Sequence, residues 1–98
     1  MKVSEITNYE AIEYLKLEYS DLTASEIENI DTLLTTAKAF ISSYTGLTAE
    51  EIDMHEDFYI VVMVLCQDMY DNRALYVDKN NLNKVVEAIL GMHSTNLL

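Results

Sequence analysis

Nine consecutive positions, Phe58 to Cys66, hold no charge, no amide, no glycine and no proline. In an α-helix successive residues step about 100° around the axis, so this run is apolar on every side. A surface helix needs cover along one stripe; this one needs it all round. Either the other helices wrap it, or a second copy of the protein covers what they leave. The run passes into an amphipathic end, with Gln67, Asp68, Asp71 and Asn72 polar and Met69 and Tyr70 apolar. The pattern predicts a central helix from about Asp57 to Arg73 or Leu75, started by Asp53 or Asp57. Arg73 then sits where the helix dipole favours a cation.

The longest regular stripe precedes it. Ile27, Ile30, Leu34, Ala37, Ile41 and Tyr44 alternate spacings of three and four, and Leu33 and Phe40 widen the stripe. Thr23 and Glu26 form a capping box at its start, with Ser25 and Glu28 as an alternative, and Gly46 ends it as a left-handed cap. A first helix runs from Asn8 to about Glu18, capped by Thr7 or Asn8, with Ala11, Ile12, Leu15 and Tyr19 inward; a loop follows through Leu22. Thr48 and Glu51 form a third box, opening a short turn to about Met54. After a connector over Tyr76–Asn80, Asn80 or Asn81 caps a last helix from Leu82 to about Met92. Its inner face is Leu82, Val85, Val86, Ile89 and Leu90, and Gly91 weakens or ends it. The expected fold is all-α: one domain, residues 1–98, a small bundle of about four helices around the apolar central one. Val62, Leu65 and Cys66 belong to its core, Tyr44 and Gly46 to the end of the long helix, and residues 93–98 form a flexible tail. Any face of Phe58–Cys66 left uncovered is the expected contact between subunits.

Charge changes this picture. Seventeen acids against six bases give −11 and a pI near 4.2, which repels phosphate backbones. Residues 1–57 hold thirteen acids and three bases (net −10), whereas residues 58–98 hold four and three (net −1). The neutral, apolar half is the place to expect subunit contacts. Cys66 is the single cysteine, so no intrachain disulfide forms, and inside the apolar run it reads as a small buried hydrophobe. No signal-peptide pattern opens the chain, and Phe58–Cys66 is about half the ~20 residues of a membrane span. A soluble protein of a reducing compartment is expected.

Catalytic and metal chemistry find little support. Two histidines and one cysteine are few and scattered for zinc. His55 lies beside Asp53, Glu56 and Asp57, which can gather a divalent cation, but a solvated acidic loop accounts for them more simply. Asp78-x-Asn80 starts like a calcium loop, yet its sixth position is Asn83 and its twelfth Ile89, where Gly and Glu are required. There is no phosphate-binding glycine loop, and Cys66 lacks a nearby base. The tyrosines at helical spacing (Tyr9, Tyr44, Tyr59, Tyr70) read as core or interface. No cofactor and no enzyme activity are expected.

Four pieces, in order, carry a resemblance: Tyr14-Leu15-Lys16-Leu17-Glu18 closing an acidic first helix; Ile41-Ser42-Ser43-Tyr44-Thr45-Gly46 closing the long one; Met69-Tyr70-Asp71-Asn72-Arg73 closing the apolar one; and a short last helix followed by a tail. Along its whole length the chain resembles the small helical head–tail connector (adaptor, head-completion) proteins of tailed bacteriophages. It departs from them in lacking prolines and basic residues around the connector loop. The resemblance implies a structural virion protein, made in the host cytoplasm. It would form a homo-oligomeric ring, a dodecamer in the virion, on the portal protein and bridge it to neighbouring connector and tail proteins. DNA would pass through without sequence-specific binding, and no membrane is involved. An acidic lumen would let phosphates slide. On the same basis docking residues are expected at Tyr70 and Arg73, in the loop at Tyr76 and Val77, and in the tail at His93, Asn96, Leu97 and Leu98. The alternative from composition alone is a small acidic DNA-mimic regulator that occupies a nucleic-acid-binding protein.

Overall fold

The structure, a computed structural model, describes residues 1–94; the expected docking residues Asn96, Leu97 and Leu98 lie outside the described residues. Five α-helices follow one another: α1 (Asn8–Tyr14), α2 (Ala24–Thr45), α3 (Ala49–Asp53), α4 (Phe58–Asn72) and α5 (Lys84–His93). Single 3-10 turns sit at Val3–Glu5, Tyr19–Asp21 and Lys79–Asn81, and no strand occurs among the described residues. The all-α bundle expected from the pattern is the fold.

Three helix starts use the same device. In α2 the Glu26 amide donates to the Thr23 hydroxyl (3.1 Å) while the Thr23 amide donates to the Glu26 carboxylate (3.0 Å). Thr48 and Glu51 repeat this at α3, and the Thr7 amide donates to Glu10 (2.9 Å) at α1. Both Glu26 and Glu51 are held below the usual carboxylate range by these backbone and hydroxyl donors. Gly46 closes α2 at φ 75°, a conformation that costs an L-residue about 1–2 kcal/mol.

Helix α4 is the axis of the bundle. Phe58, Val61, Val62, Met63, Leu65, Cys66 and Met69 are buried, chiefly against Ile30, Leu33, Leu34, Ala37 and Ile41 of α2 and Val86 and Leu90 of α5. Ala11 and Ile12 of α1 and Val3 and Ile6 of the N-terminal turn complete the wrapping. One strip of α4 stays partly open, along Ile60 (36% exposed) and the half-buried Val64. Burial pushes the Cys66 thiol up to about 12. At 15 residues α4 is too short to cross a membrane, and no other described helix is long and apolar enough.

The boundaries differ from expectation at three places. Helix α1 stops at Tyr14, because Leu15 caps it and Lys16 turns left-handed at φ 61°. Tyr19, expected inward, is therefore carried out to solvent (48% exposed). Helix α5 starts at Lys84: the Asn83 side chain accepts from the amides of Val85 (2.8 Å) and Val86 (3.4 Å), so Asn83 rather than Asn80 or Asn81 is the cap. Finally, α5 runs through Gly91 to His93, so His93 ends a helix instead of opening a tail. Leu90, fully buried just before the glycine, anchors that last turn.

Candidate functional site: two ends of the central helix

Asp57 stands at the N-cap position of α4, one of the two starts expected, but neither its carboxylate nor that of Asp53 makes a capping bond there. Asp53 instead accepts from the amide (2.9 Å) and hydroxyl (2.6 Å) of Ser4, which hold its carboxyl below its usual value. That leaves Asp57 free to turn elsewhere, and its carboxylate meets the His93 imidazole at 2.8 Å. The His55 and His93 rings meet at a tilt, with centroids 4.2 Å apart, and the buried Phe58 ring lies tilted against His93 at 4.9 Å and perpendicular to His55 at 5.7 Å. Donor atoms of His55, Asp57 and His93 all fall within 4.8 Å of one another. The acidic loop around His55 is thus not merely solvated, since a residue from the far end of the chain completes it. Nothing in the local spacing signals this. The two halves are separated by the whole of α4, the connector and α5.

The other end of α4 holds the remaining expected docking residues. Arg73 caps α4 in the left-handed region (φ 53°), and the Ala74 amide returns to the Met69 carbonyl at 2.9 Å. Tyr70 (40% exposed) and Arg73 line a groove of about 510 Å³ with Leu17, Leu22, Ile30 and Leu75. Tyr76 (68% exposed) and Val77 line a separate hollow, between the connector and α4, with Leu65, Asp68 and Leu82. Burial there, and then the Asp71 charge, raises the Asp68 carboxyl above its usual range. So the structure brings Tyr70 and Arg73 together, sets Tyr76 and Val77 beside them on a different wall, and puts His93 at the opposite end of α4.

The residues expected to be structural differ in burial. Val62 is fully buried, Leu65 and Cys66 nearly so, and Tyr44 is half-buried with its ring 5.7 Å from that of Phe40. Among the tyrosines read as core or interface, Tyr9 and Tyr70 are exposed, and Tyr44 and Tyr59 pack only partly against the core. A phenol keeps its hydroxyl hydrated most cheaply at the margin of an apolar surface.

One surface was misread from the sequence. Val85, counted on the inner face of the last helix, is 58% exposed, whereas Val86 and Leu90 are buried and Leu82 and Ile89 pack partly against the core. With Ala88 and Met92 (74% exposed), Val85 forms a second apolar stripe on the outside of α5, at spacings of three and four. The periodicity of a helix that is apolar on two sides cannot tell which side faces in. No known family model matches the chain, and no curated protein or solved structure is detectably similar to it.

Proposed function

We propose that the protein is a structural subunit, a head–tail connector that assembles as a homo-oligomeric ring on a phage portal and leaves a channel for DNA. The observation that carries this is the doubly apolar α5. Its Val86–Leu90 side is used within the subunit, while its Val85–Ala88–Met92 side has no cover among the described residues. Exposed non-aromatic apolar side chains in the nearly neutral half (Ile60, Leu75, Val85 and Met92) are what contact between copies requires, and the charged half exposes two of that kind, Met1 and Met54. The order of helices and the residues closing them support the connector class, and the acidic residues 1–57 suit a surface along which phosphates slide.

Native mass spectrometry and electron microscopy of the protein, alone and mixed with portal, test this. A discrete ring or a portal-bound ring is expected, and Val85→Asp with Met92→Asp should yield a folded chain that no longer assembles. A chain that ignores portal and forms a tight 1:1 complex with a basic DNA-binding protein would overturn the proposal in favour of a DNA mimic, the reading the −11 charge alone favours. A ring whose lumen is neutral or basic, with the acids on its outer rim, would overturn the sliding surface.

A further inference from the structure

The only two histidines of the chain, 38 positions apart, share one site with an aspartate. From this geometry we propose that His55, Asp57 and His93 form a three-ligand site for a divalent metal ion of the zinc class, which fastens the end of α5 to the loop before α4. The proposal is independent of the connector reading.

Two imidazoles and one carboxylate are a donor set for borderline metals such as zinc, whereas magnesium and calcium take oxygen ligands. Tetrahedral zinc with bonds of about 2.0–2.2 Å holds its ligand atoms roughly 3.3–3.6 Å apart. The His93 Nε2–Asp57 Oδ2 pair, at 2.8 Å, needs to open by about 0.5 Å, and the widest pair of the group lies within 4.8 Å. Closing the remainder takes about 1 Å of side-chain movement. His55 has that freedom, since it sits between helices and its ring makes ring–ring contacts but no hydrogen bond among the described residues. An ion pair between His93 and Asp57 explains two members of the group; it leaves the third member, the His55 imidazole two residues before Asp57, without a polar task.

The surroundings fit as well. Phe58, fully buried, forms an apolar floor. The outer side is open: the His93 and Asp57 side chains are 18% and 39% exposed, leaving the fourth coordination position to water. Glu50, Glu51 and Glu56 stand within a few residues on the same acidic half, whose field concentrates cations near the entrance. Because the ligands flank a 36-residue separation between Asp57 and His93, an ion bound there stabilises the folded chain, not the unfolded one.

The test uses the full, tag-free chain, freed of metal with a chelator and titrated with zinc chloride under native mass spectrometry and thermal denaturation. One equivalent of zinc is expected, with a rise in Tm on the order of 10 °C at hundredfold excess over Kd. Magnesium chloride should give no shift, and cobalt(II) should give the visible absorption of a tetrahedral site. His55→Ala, which removes a ligand from a loop, should lose the zinc equivalent and the Tm rise while the metal-free Tm barely changes. His93→Gln should do the same, and Glu56→Gln should retain both. No stoichiometric zinc at pH 7.5, or zinc still bound in both His55→Ala and His93→Gln, would overturn the proposal; the second result would assign the ion to the acidic surface.

Discussion

Val62 offers a direct measure of how completely α4 is wrapped, because none of its surface is exposed. In a Val62→Asp chain the new carboxyl ionises freely when unfolded, at a pKa of about 3.9. Keeping it neutral in the core costs about 1.36 kcal/mol per pH unit above that value, roughly 4 kcal/mol at pH 7. Its unpartnered polar atoms add about 1–3 kcal/mol, and the lost valine burial about 1.5 kcal/mol. The total of about 7–9 kcal/mol is comparable to the whole stability expected of 98 residues, about 5–15 kcal/mol. The sign with pH is distinctive. A carboxyl whose folded pKa is raised destabilises above its unfolded pKa and is relieved as pH falls toward it. Urea denaturation of Val62→Asp and of the non-titrating Val62→Asn should therefore converge by about 3 kcal/mol between pH 7 and pH 4.5. A Val62→Asp chain that folds at pH 7 with less than about 2 kcal/mol lost would mean that α4 is hydrated at this point, and so would a gap that ignores pH. Ile60→Asp, on the open strip of the same helix, should cost under about 1.5 kcal/mol.

Other consequences are simpler to check. Cys66, with its thiol raised to about 12, should resist thiol reagents at pH 8 in the folded chain and react only as fast as the bundle opens; rapid labelling without denaturant would show an accessible core. Glu26, Glu51 and Asp53 all have lowered folded pKa values, so their stabilisation is full above the ordinary carboxylate range and is lost as pH falls through the depressed values. Asp68 is raised, so its penalty is relieved as pH falls through its higher value. Tm should hold or rise from pH 7 to about 5 and drop below about 4, and a steady fall from pH 7 to 5 would contradict this. Thr45→Val removes the buried hydroxyl that donates to the Ile41 carbonyl (2.7 Å) and accepts from the Leu47 amide (3.2 Å). It should cost about 1–3 kcal/mol by denaturation, with the Leu47 amide losing hydrogen-exchange protection.

What was legible in the sequence was what is decided within one helical turn. The Thr–Glu boxes at Thr7, Thr23 and Thr48 and the stop at Gly46 each act through neighbours three or four residues away, and each holds. The α2 stripe was equally plain because its opposite face is polar. The misreadings share a different cause. Lys16 turns left-handed after α1 without being glycine or asparagine, so tertiary packing rather than residue type sets that end, whereas the end of α4 at Arg73 falls where the pattern put it. Asn80, Asn81 and Asn83 offer competing caps, and the choice falls to the register that buries Val86 and Leu90. The group at His55, Asp57 and His93 depends on α4 and α5 running back along each other, a fact no local spacing contains.

The N-terminal turn has a consequence for how the chain leaves the ribosome. Val3 and Ile6 are buried, yet the bonds that hold their segment come from Lys38, which donates to the Ile6 carbonyl at 2.8 Å, and from Asp53, 49 residues beyond Ser4. At about 5–20 residues per second, that partner is synthesised roughly 2–10 s after the segment itself. Through that interval Val3 and Ile6 lack the full set of partners that holds their segment. Closure of this segment therefore waits on α3, because the bonds that fix it span 32 and 49 positions instead of a single helical turn.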